Sequence, residues 1–249
     1  MRDGNAYSLT ARAEQLIEPV RSLLADADGL LHPTAFDPSR LDGQITIASL
    51  DLEMRLYFAP LLRRTSEIAP RVSPRAVQFN RGDFSILDTG EADFVIVSLD
   101  STSGRYLQRL LYANSYVSVV SPVLAQKLGD KLSLENFANT GHELITGEGF
   151  VDVAMRELGL RRKVITRVPN FMLIPEICAQ RELIFTVPRR IVQTFPQDGQ
   201  LVYYSPLITL PPTFSYLYWH GRNHMSPIDI WFRKLTFEIN ASLSEDDNA

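Results

Sequence analysis

Two carboxylates, Asp51 and Glu53, stand where a strand gives way to a helix in Ser49-Leu50-Asp51-Leu52-Glu53. The N–H groups and dipole of a helix start favour an anion such as a ligand carboxylate. The side chains of Asp51 and Glu53 oppose one. The pair therefore points to a ligand that offers a hydroxyl or amine, or to plain N-capping by Asp51, a role worth ~1 kcal/mol. Gly147-Glu148-Gly149-Phe150 precedes a second predicted helix. Its glycines let the backbone approach a ligand and equally make a simple turn; without a lysine they are not a phosphate loop. Asn170-Phe171 follows another strand end, where Phe171 either lies flat on an aromatic ligand or fills a core gap. Ser98 and Ser101 follow a fourth, where they bond a ligand or cap local backbone.

Catalytic and metal chemistry find no foothold. His220 and His224 are four apart, but Gly221, Asn223 and Pro227 make that stretch a loop, and no acidic partner lies close in the sequence. There is no His-Glu-x-x-His, no Gly-x-Ser-x-Gly elbow and no Walker loop. Cys178, in Ile174-Pro175-Glu176-Ile177-Cys178-Ala179, reads as a buried core thiol. No catalytic residue, metal or cofactor is expected.

The candidate residues share one kind of position. From Ile45 onward strands and helices alternate: strands at 45–48, 75–79, 93–97, 116–120, 143–145, 164–168, 183–187, 201–204 and 214–219, with helices between them. Phe94-Val95-Ile96-Val97 is a solid apolar run of the kind a strand buried on both faces needs. Gly90 ends the helix before it, and Ser121-Pro122 opens the next as N-cap and N1. Such alternation makes an α/β fold of mostly parallel sheets with helices on both faces. Ligands of these sheets collect beyond the carboxyl ends of the strands, which is where all four candidate segments lie. Ahead of this body, Thr10 caps a predicted helix whose Leu16, Ile17, Val20, Leu23, Leu24 and Ala27 form one stripe, stopped by Gly29. That stripe must bury itself on its own domain or on a copy of itself.

At 249 residues, 45% hydrophobic and 22% charged, the chain has the composition of an ordinary globular protein. A net charge of −4 gives no general attraction to nucleic acid or membranes. No run approaches the ~20 apolar residues of a membrane span, and the N-terminus has no export signal. A single cysteine forms no intrachain disulfide, which fits a reducing cytoplasm.

Several segments resemble the regulatory part of LysR-type transcriptional regulators. They are Leu9-Thr10-Ala11-Arg12-Ala13-Glu14, Gly43-Gln44-Ile45-Thr46-Ile47-Ala48, Phe58-Ala59-Pro60-Leu61-Leu62 and Leu87-x-x-Gly90-Glu91-Ala92-Asp93. Leu183-Ile184-Phe185-Thr186-Val187-Pro188-Arg189, Trp219-His220-x-Arg222 and Ser226-Pro227-x-x-x-Trp231-Phe232-Arg233 follow in the family's order. Asp51 with Glu53, Pro169-Asn170-Phe171 and Trp219-His220 look most like the branch that senses aromatic acids and related inducers.

The resemblance implies a two-lobed, periplasmic-binding-protein-like (type 2) effector domain over 44–249, preceded by a wing remnant and dimerisation helix in 1–43. Lobe 1 would take about 44–115 and 208–240, and lobe 2 about 116–207, with hinges near 112–116 and 204–207. A small effector such as an aromatic acid would meet Ser49, Asp51, Leu52, Glu53, Ser98, Ser101, Gly147, Gly149, Phe150, Asn170 and Phe171 between the lobes. The implied protein is a cytoplasmic homodimer or homotetramer that touches DNA only through a winged helix-turn-helix. This sequence starts in what resembles the end of the wing. It would then be a truncated product, a mis-assigned start or a naturally head-less regulator. The rival readings are a stand-alone solute-binding protein and an enzyme on the same scaffold.

Overall fold

Strand β1 (Gly43–Ser49) buries every residue from Ile45 to Ser49 and runs parallel to two neighbours, β2 (Val72–Gln78) and β3 (Phe94–Val97). In the computed structural model, every residue is described except 1, 4–5, 8–9, 11, 14, 22–23, 25–35, 81, 100–102, 146–148 and 247–249. The chain divides into two units, Met1–Pro38 and Ser39–Ala249. In the first, Arg2–Asp3 pairs antiparallel with Ala6–Tyr7, and residues 12–13, 15–21 and 24 are helical. Thr10 caps that helix as expected, its Oγ1 accepting from the Ala13 N–H at 3.2 Å. Leu16, Ile17, Val20 and Leu24 of the predicted stripe are all exposed; Leu23, Ala27 and Gly29 lie outside the described residues.

In the second unit β1 sits inside a five-stranded sheet of order β2-β1-β3-β10-β4, where β4 is Tyr106–Asn114 and β10 is Thr213–His220. The strand β3 is buried on both faces, as its solid apolar run requires. Phe94 and Ile96 join a core with Leu56, Tyr57 and Phe232 from helices α1 (Asp51–Ile68) and α7 (Pro227–Asp246). Val95 and Val97 face Phe79, Phe84, Leu87 and Tyr218 on the other side. The short helix α2 (Ser85–Thr89) covers part of that second face and ends at Gly90, whose φ of 76° is the left-handed turn the sequence predicts.

The chain then crosses through β4 into a smaller sheet, β8-β5-β9, formed by Phe185–Pro188, Tyr116–Val120 and Val202–Tyr204. Beside it β6 (Gly141–Ile145) runs parallel to β7 (Lys163–Val168), and an isolated His142–Ile184 bridge joins the two ladders. Around them lie α3 (Pro122–Leu128), α4 (Leu134–Asn139), α5 (Phe150–Glu157) and α6 (Ile174–Gln180). Ser121 and Pro122 start α3 as predicted, with Ser121 Oγ accepting from the Leu124 N–H at 3.3 Å.

The structure departs from the expected elements in three respects. The sheets are mixed: β10 runs antiparallel to β3 and β4, and β5 antiparallel to both its neighbours, because the chain crosses between sheets on adjacent extended strands instead of through helices. Strand β4 and helix α4 are additional to the predicted set. The predicted helix at 189–195 is a 3-10 turn, Arg189–Thr194. No helix of the described residues is long and apolar enough to cross a membrane.

Close packing around β6 is set by Gly141 and His142. A Cβ on Gly141 would stand 2.7 Å from Ile165 Cγ1 and 2.8 Å from Leu183 Cδ2. His142 is fully buried, its Nε2–H donates to the Phe137 carbonyl, and its ring lies edge-on to Phe137 at 4.5 Å. Burial pulls its pKa down to about 4 from 6.5. The unfolded chain thus binds a proton more readily than the folded one. Stability from this group is complete above pH 6.5 and falls by ~1.4 kcal/mol per pH unit as the pH drops toward about 4. Urea midpoints measured between pH 4 and 7 should show that decline, and His142→Gln, which keeps a donor for Phe137, should flatten it.

Candidate ligand cleft

The carboxyl end of β1 places the two acids of α1 in different surroundings. Leu50, in extended conformation, occupies the N-cap position of α1 and makes no side-chain cap. Asp51 is the first helical residue, and its Oδ2 accepts the backbone N–H of Phe171, 120 positions away. Leu50, and not Asp51 as expected, therefore holds the N-cap position. The helix begins one residue earlier than that reading requires, and the carboxylate turns to the smaller-sheet half of the molecule. Phe171 opens a 3-10 turn (Phe171–Leu173) that leads directly into α6, and its ring packs against the core shared with α1.

Glu53 turns the other way and is 2% exposed. Its Oε1 accepts from the Ser98 hydroxyl at 2.9 Å and the Ser215 hydroxyl at 3.0 Å, and those two hydroxyls also bond each other. Burial pushes the Glu53 carboxyl above its usual pKa, against the lowering effect of its own backbone N–H and the two serines. Beside this group Tyr112 stacks on Tyr57, ring centroids 6.3 Å apart, with the Arg190 guanidinium 4.2 Å over the Tyr112 ring. Tyr57 Oη donates to Asn240 Oδ1 at 2.6 Å, and Asn240 Nδ2 donates to the Leu111 carbonyl at 2.9 Å. Helix α1 is thereby tied to α7 and to strand β4.

Across the junction, Gly149 and Phe150 begin α5. The Gly149 N–H donates to Asp152 Oδ2 at 3.0 Å, and Arg162 grips both oxygens of Asp152 at 2.7 and 2.6 Å. The Arg162 side chain is 3% exposed and that of Asp152 17%. Burial pushes the Asp152 pKa up, but the Arg162 bonds and the Gly149 N–H outweigh it and hold the carboxyl below its usual value. Phe150 meets Tyr116 edge-on at 6.4 Å. Asn170 Oδ1 is buried without a hydrogen-bond partner.

The structure brings Asp51 to Phe171, and Glu53 to Ser98. Ser49 is interior, its hydroxyl 3.7 Å from Met54 Sδ, and Leu52 belongs to the core. Ser101 and Gly147 lie outside the described residues. Ser98 serves neither as a local cap nor alone; its partner Ser215 is missed by strand-end logic because it sits inside the aromatic strand β10. His220 has an acidic partner after all: Asp88 Oδ1 is 3.3 Å from Nε2, brought close by pairing of β10 with β4 and the return of α2. Its Nδ1 accepts from the Arg222 N–H at 3.0 Å, and Arg105 and Tyr106 also reach Asp88. This cluster fastens α2 to the sheet. Among the described residues no group of histidine, cysteine or acidic side chains is placed to hold a metal, and Cys178 is buried as expected.

The profile of the LysR substrate binding domain matches residues 38–238. The chain belongs to the LysR-type family. It is similar to the HTH-type transcriptional activator NahR of Pseudomonas putida, 29% identical over 92% of this chain and 78% of that protein. Nodulation protein D 2 of Rhizobium leguminosarum bv. phaseoli is 27% identical over 95% of this chain and 76% of its own length. Among solved structures, the regulatory domain of MexT from Pseudomonas aeruginosa aligns with a TM-score of 0.70 at 21% identity, over 80% of this chain and 98% of that one. The probable transcriptional regulator PA0477 from Pseudomonas aeruginosa aligns at 0.72 and 24% identity, over 95% and 80%. These two likenesses establish the fold, the two-lobed periplasmic-binding-protein-like type. As a LysR-type chain, this is the effector-sensing part of a transcriptional regulator.

The LysR assignment leaves the cost of the buried Glu53 to be tested. Its folded-state pKa is raised above 4.5, so it favours folding in acid and this contribution is lost as pH rises through the folded value. Glu53→Gln keeps an oxygen for Ser98 and Ser215 and removes the buried charge. Its thermal midpoint should equal or exceed that of the wild type at pH 7, and the gap should narrow on acidification. A lower midpoint at pH 7 would mean that the charge itself is needed.

Proposed function

We propose that the chain detects a small aromatic effector at the junction of two lobes, lobe 1 over about 44–115 and 208–240 and lobe 2 over about 116–207. The observation that supports this reading is the Asp51–Phe171 hydrogen bond, which joins the first turn of α1 to the 3-10 turn that follows β7. On the lobe 1 side the effector would meet Ser49, Asp51, Leu52, Glu53, Ser98 and Ser101. On the lobe 2 side it would meet Gly147, Gly149, Phe150, Asn170 and Phe171. The rings of Phe171, Phe150 and Tyr116 suit a flat aromatic body, and any acid group on it would point away from Asp51 and Glu53. The effector works through differential affinity for two lobe arrangements, with no chemical turnover.

In this reading the chain acts in the cytoplasm as a homodimer or homotetramer and reaches DNA through a winged helix-turn-helix. Its exposed stripe of Leu16, Ile17, Val20 and Leu24 supports pairing with a second copy, since four large apolar side chains on one helical face are unfavourable in water.

Thermal unfolding against aromatic and aliphatic acids, phenols, amino acids and sugars tests the effector. A ligand at ~100 times its dissociation constant should add about 2.7 kcal/mol of stability, and the effect should be confined to one aromatic class. No shift with any compound, from a folded chain, would reject the sensor. For self-association, Val20→Asp combined with Leu24→Asp should lower the mass measured by light scattering to that of a monomer without changing the circular dichroism of the body.

A further inference from the structure

Among the described residues, polar contacts between the two lobes are of two kinds. Most lie where the strands cross. The Arg189 N–H donates to the Ser115 carbonyl at 2.8 Å, and the Arg190 N–H donates to Asn114 Oδ1 at 3.3 Å, with the Arg190 guanidinium over Tyr112. The bond from Phe171 N–H to Asp51 Oδ2 is of another kind, since it joins the first turn of α1 to the start of the Phe171–Leu173 turn, away from the crossing strands. Opening the lobes would have to break it.

We propose that the Asp51 carboxylate is an interlobe latch: its bond to the Phe171 N–H holds the lobes shut, and the effector acts by changing that one bond. The regulatory meaning of the latch rests on the effector reading above; the latch itself does not. A charge-assisted bond from a carboxylate to a backbone N–H is among the stronger hydrogen bonds. Here the N–H also begins a helical segment, where a negative charge is favoured. Phe171 reinforces the contact through its ring, which packs against the core that includes Leu52, Leu56 and Tyr57. The other acid of the same turn does not compete for the N–H, because Ser98 and Ser215 hold Glu53 inward.

The test reads the lobe separation directly and uses no effector. Spin labels are placed at Arg63→Cys on α1 and Glu157→Cys at the end of α5, both exposed positions. The native Cys178 is 1% exposed and does not take label. Pulsed electron resonance on labelled full chain diluted into an excess of unlabelled chain, so that only distances within one copy are read, should give one narrow distance. Asp51→Ala should broaden it and shift it by more than about 2 Å, the scale of real domain rearrangement. Asp51→Asn keeps an oxygen for the Phe171 N–H and should stay at the wild-type distance. Phe171→Pro removes the donor itself at a helical start that tolerates proline, after an Asn170 with ψ of 162° that suits a following proline. It should match Asp51→Ala, while Phe171→Ala, which keeps the N–H, should remain near the wild type. Unchanged distances in both Asp51→Ala and Phe171→Pro would overturn the latch. So would opening in Phe171→Ala alone, which would assign closure to the ring. If no compound of the thermal panel binds but these distances move as stated, the effector reading fails and the latch stands.

Discussion

Helix α1 carries two carboxylates in its first turn, and the structure depends on how they are separated. Side by side they would repel each other and any acid brought near them. Instead Glu53 is drawn inward by two serine hydroxyls, Ser98 just past β3 and Ser215 within β10, and Asp51 is turned out to the backbone N–H of Phe171 on the small-sheet side. The first arrangement fixes α1 on the large sheet. The second uses the remaining carboxylate as the contact between halves. One helix start thereby supplies both the rigidity of one lobe and its attachment to the other.

Much of the fold was legible because local chemistry and global pattern agree. Ser121 with Pro122, Gly90 with its left-handed turn and the apolar run of β3 each state their role within a few residues. Strand β4 was not legible. Gln108, Arg109 and Leu110 lie exposed at a sheet edge and break any alternation of apolar and polar residues. Helix α4 spans only six residues, and Ser133, its N-cap, is too weak a signal alone. Both elements exist because of what they pair with or pack on.

The candidate site shows the same division more sharply. Strand-end logic reaches Asp51, Glu53, Ser98, Asn170 and Phe171, since each follows from where a strand stops. It does not say which of them meet. That Asp51 finds Phe171 depends on the crossing of the chain from β4 to β5, and that Ser98 finds Ser215 depends on β10 returning antiparallel to β3. Ser215 carries no signal of its own in a strand whose neighbours are Phe214 and Tyr216. Sequence spacing therefore located the residues, and topology assigned their partners.

The way the two halves share apolar surface decides where control can be applied. One continuous core contains Ile45, Leu56, Tyr57 and Phe232 from the large sheet side, and also Val117, Val119, Val187, Ile191 and Phe195 from the small one. A core packed to crystal-like density resists being parted, because each ångström of gap forfeits dispersion contacts along its whole length. Any relative motion of the two sheets would then have to pivot about that core. Around the Asp51–Phe171 bond the same core continues, with the Phe171 ring packed against it and Ile174 and Cys178 of α6 buried in it. A small molecule has little prospect of displacing a core, but it can compete with a single hydrogen bond worth ~1.5–3 kcal/mol. The hydrogen bond, and not the core, is therefore the element within reach of a small molecule's binding energy.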